Sequence, residues 1–312
     1  MSETGYEPVV GIEAPGEMGT ALGQVIVENG FRVVTTLEGR SNRTGNICRE
    51  AGLEVLESFS QVVGLSDVFI SLVPPTAAVS VAEKYRDQAR SRTRTATFVD
   101  ANAISPQTAV QIADIVSQAR AEFVDGSIHG LAVNLRKHGT IYLSGKLSGS
   151  VASFFGKSVQ VKVLGTEPGR ASMMKMLLGG VSKGMVALFL EMSLIANETK
   201  LLDEMIEGCR EYYPGFMTAI DRLLPTYPRH ALRRGEEMKE LERAVIALGL
   251  QPSMICGARQ TISSVGVLNL EDQCDSNSPS NWTIREIIEH IAVSNPFSIS
   301  NRQTVGSVNR TI

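Results

Sequence analysis

Lys175 is the side chain whose sequence surroundings best suit proton transfer. It is the single charged residue in the apolar run 171–180. Loss of water disfavours the ammonium form and brings the pKa of a lysine toward neutrality, where the amine can donate and accept protons. Gly179, one helical turn further on, leaves room for a ligand. The alternative is a lysine whose ammonium group reaches solvent from a buried helix.

A second chemical feature is an apolar strand, Val9 to Ile12, that runs into a turn of small residues. The N–H groups and the dipole of the helix that follows would bind a pyrophosphate. Gly16 would let the phosphates approach the backbone, and Gly19 would let the helix pack on the strand. The residues assigned to this predicted dinucleotide site are Ala14, which replaces the usual first glycine, Pro15, Gly16, Glu17, Met18 and Gly19.

The end of the second predicted strand indicates which dinucleotide is expected. Glu38 would bind the ribose hydroxyls of NAD. Arg40, Ser41 and Arg43 would instead bind the 2′-phosphate of NADP. Because the charge of two guanidinium groups outweighs that of one carboxylate, NADP(H) is favoured and NAD(H) is the alternative. A solvated surface turn that binds no ligand would explain the same residues.

Further loops are predicted at the same edge of the sheet. Val73 and Pro74 follow one strand and Asn102 follows the next, as candidate walls of the cofactor site. Taken alone, either loop is better explained by turn and helix-capping chemistry. Residues 125–130 are expected to form a turn after another strand. Its candidate substrate contacts are Ser127, Ile128, His129 and Gly130.

The order of the predicted elements indicates a two-part chain. Strands alternate with helices up to about Asp125, which predicts a doubly wound parallel sheet. The stretch from Arg170 to about Glu198 lacks proline and is apolar on nearly every face, so a helix of ~29 residues, about 43 Å long and buried on most sides, is expected. The remainder, Leu201 to about Ser300, is predicted to be helical, and the end of the polar tail that starts at about Gln273 is predicted to be mobile.

Composition excludes several classes of partner. The net charge is −3, with 30 basic and 33 acidic residues interspersed, so neither nucleic acid nor an anionic membrane is favoured. No signal peptide and no apolar run of roughly 18 residues is recognised, which favours a cytoplasmic location. The four cysteines lie far apart without histidine at metal-ligand spacing, so free thiols and no metal site are expected.

In this order, the motifs resemble the superfamily of 3-hydroxyacid dehydrogenases and 6-phosphogluconate dehydrogenases. The resemblance covers Val9 to about Glu198 and rests on residues 16–19, 72–74, 125–130, 139–145 and 168–175. Residues 100–106, 183–184 and 233–238 are similar to a subgroup whose C-terminal domain is known only as DUF1932.

The resemblance implies an α/β Rossmann domain over residues 1–167, an interdomain helix over 168–198 and an all-α substrate and dimerisation domain over 199–312. A homodimer is implied, with Lys175 as general acid and base and with Gly179 and Lys183 as candidate substrate contacts. The family commonly has an asparagine one turn after the lysine, where Leu178 and Gly179 stand here. The second glycine of its Ser-Gly-Gly turn is also missing. A bulkier or less polar substrate is therefore expected.

The leading hypothesis is an NADPH-dependent reductase of a carbonyl compound, or an alcohol dehydrogenase in the reverse direction. Imine reduction on the same architecture is the alternative, although relatives that do this generally have another residue at the lysine position. A nucleotide-binding protein without catalysis is a third possibility. Arg233 and Arg234 are candidates for binding an anionic group, but ion pairs with Glu236 and Glu237 are the favoured interpretation.

Overall fold

The structure is a computed structural model that describes residues 7–13, 15–90, 92–270 and 281–294. The chain divides into two compact units between Lys175 and Met176. The first unit contains one eight-stranded sheet, and the second is built from helices.

The sheet has the strand order β3-β2-β1-β4-β5-β6-β7-β8. Every neighbouring pair is parallel except β6 and β7, which are antiparallel. The doubly wound sheet is thus confirmed, with one antiparallel pair that the sequence did not indicate. The strands are β1 (Val9–Glu13), β2 (Arg32–Thr36), β3 (Glu54–Leu56), β4 (Val68–Ser71), β5 (Ala96–Asp100), β6 (Ala121–His129), β7 (Thr140–Ser144) and β8 (Gln160–Val163).

Helices cover both faces of the sheet, and each face has its own core. One core contains Val10 and Ile12 of β1, and the other contains Phe69 of β4 and Phe98 of β5, all of them fully buried. Burial on both faces explains why these strands are continuous apolar runs. The helices of this unit are α1 (Glu17–Glu28), α2 (Asn42–Glu50), α3 (Phe59–Leu65), α4 (Ala78–Ala89), α5 (Pro106–Ser117), α6 (Leu135–His138) and α7 (Ser148–Ala152).

The long helix α8 extends over Arg170–Glu198, the bounds expected from the sequence. Beyond it the described chain is helical, as predicted, while the predicted mobile tail lies largely outside the described residues. The remaining helices are α9 (Leu202–Tyr212), α10 (Pro214–Leu223), α11 (Tyr227–Ala247), α12 (Ser253–Gly266) and α13 (Ile284–Ser294).

Two expectations about α8 are wrong. Large apolar side chains such as Val181 and Ile195 are more than half exposed, so the helix is not buried on most sides within this chain. Among the described residues it is also the one helix long and apolar enough to cross a membrane, with 28% of its most apolar window buried. Core helices of globular proteins pass the same test, so the finding is weak evidence for a membrane.

The predicted turn at residues 125–130 is also wrong. Strand β6 continues to His129 because residues 125–129 pair with residues 140–144 of β7 in an antiparallel ladder. The chain turns only at Gly130, whose φ of +128° suits glycine. The small residues that indicated a turn therefore lie within a strand.

Candidate active site

The turn between β1 and α1 has the features of a phosphate-binding loop. Gly16 is the N-cap of α1, and no side chain caps this end of the helix. The first N–H groups of a helix have no intrahelical acceptor, so they remain available to a pyrophosphate. A Cβ at Gly16 would meet nothing within 4 Å, which leaves the backbone open to a ligand. Ala14 lies outside the described residues.

Close packing of α1 on the sheet is visible at Gly23. A Cβ there would lie 3.0 Å from Leu53 and 3.1 Å from Ile12. The glycine pattern of the sequence predicts close packing at Gly19, which is buried in the same helix, and does not mark Gly23.

Glu13, at the end of β1, was not recognised as a site residue. Its Oε2 atom is buried and has no hydrogen-bond partner among the described residues. Burial raises the pKa of Glu13, while Lys84 and Arg40 act in the opposite direction. An unpaired buried carboxylate oxygen beside the phosphate-binding turn suits a ligand that brings a hydroxyl donor, such as a ribose.

In the loop after β2, the acidic and the basic residues that are predicted to contact the cofactor have different surroundings. The carboxylate of Glu38 accepts a hydrogen bond from the backbone N–H of Phe59 at 3.3 Å and lies 3.9 Å from Lys84 Nζ. Ser41 caps α2 by accepting from Thr44 N at 3.4 Å.

The two arginines of this loop, Arg40 and Arg43, are exposed and make no salt bridge within the part of the chain that the structure describes. Arg40 precedes α2 and Arg43 lies in its first turn, so both guanidinium groups follow closely after the end of β2.

Asn102 has a different role from the cofactor contact predicted for it. Its Oδ1 accepts from Val73 N at 2.6 Å, and its Nδ2 donates to Ser71 Oγ at 3.1 Å and to Asp100 Oδ2 at 2.8 Å. An amide nitrogen has two hydrogens, and both are used here. Asn102 therefore fixes the loop that begins with Val73 and Pro74, and it has no donor left for a nicotinamide.

The first turn of α8 is attached to the middle of β6 and to the end of β7. Asp125 accepts from Ser172 N at 3.0 Å and from Ser172 Oγ at 2.7 Å. Ser144 Oγ accepts from Ala171 N at 3.1 Å and donates to Asp125 at 3.2 Å. The free N–H groups of a helix start thus find acceptors, one of them a carboxylate at the positive end of the helix.

Lys175 follows this anchored turn directly, which fixes its backbone relative to the sheet. It lies close enough to Asp100 to lower the pKa of that carboxyl, although burial dominates and raises it to about 7. Burial likewise raises the pKa of Asp125 against its hydrogen bonds from Ser172 and Ser144. The structure brings together one lysine and two buried carboxyl groups, and sequence analysis assigned a role to the lysine alone.

The predicted substrate contacts of β6 need correction. Ser127 is fully buried and donates to Ala171 O at 2.7 Å, so its hydroxyl also holds the start of α8. Ile128 lies in the core of the first unit. His129 is exposed at the end of the strand, next to Gly130. The hydroxyl of Ser127 is therefore used within the protein, and the side chain of Ile128 is part of a hydrophobic core.

In the second unit, Gly179 and Lys183 are in contact. Lys183 Nζ donates to Gly179 O at 3.3 Å, and a Cβ at Gly179 would lie 3.0 Å from Nζ. The missing side chain at position 179 therefore gives space to the ammonium group of Lys183.

A doubly wound sheet with an uncapped glycine turn after its first strand is typical of dinucleotide-binding enzymes. Residues 9–152 match the NAD binding domain of 6-phosphogluconate dehydrogenase, and residues 196–265 match DUF1932, a domain of unknown function. The chain belongs to the 6-phosphogluconate dehydrogenase-like family of NAD(P)-dependent oxidoreductases, with the fold of the 3-hydroxyacid dehydrogenases and a DUF1932 domain.

Similar proteins support this assignment. The conserved protein MTH1747, of unknown function, has a structure similar to 3-hydroxyacid dehydrogenases. Its sequence is 30% identical to this chain, and the match covers 84% of this chain and 98% of MTH1747 with a TM-score of 0.69. An uncharacterized 28.5 kDa protein of Methanothermus fervidus is 29% identical over 79% of this chain and 94% of its own length.

More distant solved structures share the fold. The 3-hydroxyisobutyrate dehydrogenase of Mycobacterium tuberculosis is 15% identical to this chain. The match covers 92% of this chain and 99% of that dehydrogenase, with a TM-score of 0.70. Imine reductases also share it, with TM-scores of 0.53 and 0.58.

Proposed function

We propose that this protein is an NADPH-dependent reductase of a carbonyl compound, or the corresponding alcohol dehydrogenase, with Lys175 as general acid and base. The observation that carries the proposal is the attachment of α8 to the sheet by Asp125 and Ser144, one turn before Lys175. Bound NADPH would supply the hydride. Lys175 donates its proton to the carbonyl oxygen and takes it back in the reverse reaction.

In this proposal, backbone groups and side chains contact different parts of the cofactor. The N–H groups at the start of α1 bind the pyrophosphate, and Arg40, Ser41 and Arg43 bind the 2′-phosphate. Val73 and Pro74 form a wall of the same site, held in place by Asn102. The engagement of Glu38 by Phe59 N and Lys84 supports NADP(H) over NAD(H), because it weakens the competing negative charge.

Preference for NADPH is tested by removing Arg43. We expect Arg43→Ala to weaken NADPH binding roughly tenfold or more, because a charge-assisted hydrogen bond to the 2′-phosphate is lost, and to leave NADH binding unchanged. Fluorescence titration with both nucleotides measures this. Arg49→Ala, on the same helix and also exposed, is the matched control. Equal weakening for both nucleotides would refute a 2′-phosphate contact.

We also propose a homodimer formed through α8 and the helices that follow it. An apolar groove of about 660 Å³ lies between α8, α9 and α10, and Met192, Ile195 and Tyr213 are exposed along it. Apolar patches of this kind in a globular protein are commonly covered by a partner. A second copy is the proposed occupant.

Light scattering tests the dimer. The unchanged protein should have twice the mass of one chain, and Ile195→Glu should shift it toward the monomer because burying a carboxylate in the interface is costly. Leu65→Glu, at an exposed apolar position of α3, should remain dimeric. A monomeric unchanged protein would contradict the proposal.

A further inference from the structure

Glu13 ends β1 on the face of the sheet that α3 and α4 cover. Side chains alternate along a strand, so Glu13 lies on the same face as Val9 and Gly11. Val9 belongs to the core that residues of α3 and α4 also form, and a Cβ at Gly11 would lie 2.9 Å from Val62 of α3. The carboxylate therefore lies at the carboxyl end of β1, directly before the phosphate-binding turn.

The carboxylate of Glu13 is close to three charged side chains of the same unit. Burial raises the pKa of Glu13, Lys84 and Arg40 lower it, and Glu38 raises it. Its Oε2 atom is buried and has no hydrogen-bond partner within the part of the chain that the structure describes. A buried acceptor without a donor is costly, and a ligand that brings an O–H group would satisfy it.

Glu38, the acidic residue that the sequence associates with the ribose, is used inside the protein. Its Oε2 atom accepts a hydrogen bond from Phe59 N at 3.3 Å and lies 3.9 Å from Lys84 Nζ. Because Phe59 is the first residue of α3, the charge of Glu38 stabilises the N-terminus of that helix. Lys84 also lies 4.2 Å from the centre of the Phe59 ring, which keeps its ammonium group beside Glu38. This arrangement leaves the buried oxygen of Glu13 as the acceptor for a ligand.

We propose that Glu13 is a specificity-determining residue that accepts a hydrogen bond from the 3′-hydroxyl of the adenosine ribose and repels the 2′-phosphate of NADP(H). Arg40 connects the two effects, because it is close to Glu13 and is also a proposed contact of the 2′-phosphate. The 3′-hydroxyl is adjacent to the 2′ position and is free in both NAD(H) and NADP(H).

The charge of Glu13 offsets that of Arg40, so the preference for NADPH over NADH is smaller than the two arginines alone would give. Arg43 adds the second positive charge and keeps NADPH preferred. This role of Glu13 depends on the proposed function for the cofactor, but it does not depend on hydride transfer.

Calorimetric titration of the full-length protein with adenosine 5′-diphosphate tests the hydroxyl contact. The 3′-deoxy form should bind the unchanged protein roughly 10- to 100-fold more weakly, because a hydrogen bond to a charged acceptor is lost. Glu13→Met has a side chain of similar length without an acceptor, so this variant should bind the two diphosphates equally. The 2′-deoxy form should bind as the parent diphosphate does in both proteins.

Fluorescence titration with NADPH and NADH tests the repulsion. Glu13→Gln retains an acceptor and removes the charge, so the ratio of NADPH affinity to NADH affinity should rise roughly tenfold. A general loss of structure would weaken both nucleotides and leave this ratio unchanged. Glu50→Gln makes the same charge change at the exposed end of α2 and should not alter either affinity.

The proposal is overturned if the 3′-deoxy form binds the unchanged protein as tightly as the parent diphosphate, if the 2′-deoxy form loses more affinity, if Glu13→Met keeps the preference for the 3′-hydroxyl, or if Glu13→Gln leaves the affinity ratio unchanged. Inosine 5′-diphosphate lacks the adenine amine. Weaker binding of this probe that disappears in Glu13→Met would place Glu13 at the base and would also overturn the proposal. If Glu13 controls both readouts but no carbonyl compound oxidises NADPH, the ribose contact stands and the proposed reductase function fails.

Discussion

Lys175→Met lowers kcat for carbonyl reduction by roughly 100- to 10,000-fold, the range that general acid catalysis contributes. Methionine preserves the length and the apolar character of the side chain but has no proton to give. The proposed nucleotide contacts come from the β1–α1 turn and the loop after β2, so the dissociation constant of NADPH should not change. Steady-state rates and fluorescence titration of the same preparation measure both quantities.

Lys157→Met removes an exposed lysine of the first unit and serves as the control, with unchanged kcat. If Lys175→Met retained full turnover, the proton would have to come from another group. Lys175 would then not be the general acid, even if the variant still bound the nucleotide.

Asp125→Ala lowers the stability of the first unit by about 3 to 5 kcal/mol, the scale observed when one member of a buried charged network is removed. Three donors, from Ser172 N, Ser172 Oγ and Ser144 Oγ, lose their acceptor in a site where water does not replace it. For a unit of this size, the unfolding midpoint should fall by roughly 10 °C. Thermal unfolding followed by circular dichroism measures the shift.

The matched control for this prediction is Asp114→Ala, which removes an exposed aspartate of α5 and should leave the midpoint nearly unchanged. Asp125→Asn retains an acceptor for Ser172 and should lie between the two. We also expect kcat to fall in Asp125→Asn, because the start of α8 positions Lys175. Equal midpoints for Asp125→Ala and the unchanged protein would mean that this network does not hold the helix.

Much of the fold was predictable because its signals are local. The glycine turn and the proline-free stretch of α8 each depend on neighbouring residues, and both form as expected. The ladder between β6 and β7 was not predictable, because small residues such as Gly126 and Ser127 indicate a turn until their partner strand is known.

The supporting residues of the site were missed for the same reason. Asp125 caps a helix 47 positions away in sequence, and no local pattern marks such a contact. Asn102 was correctly placed at the sheet edge, but its side chain is used to hold the neighbouring loop. Glu13 immediately precedes the predicted glycine turn. The one sequence signal for its role is its charge at the end of a buried apolar strand.

Isotope transfer tests the central claim most directly. The protein is incubated with NADPH deuterated at the transferable position of the nicotinamide and with a panel of aldehydes, keto acids and cyclic imines, and the products are analysed by mass spectrometry. We predict an alcohol with one deuterium on the former carbonyl carbon, formed together with an equal amount of NADP+. Deuterium found only in amines from the imines, or no consumption of NADPH with any member of the panel, would contradict the proposed carbonyl reductase.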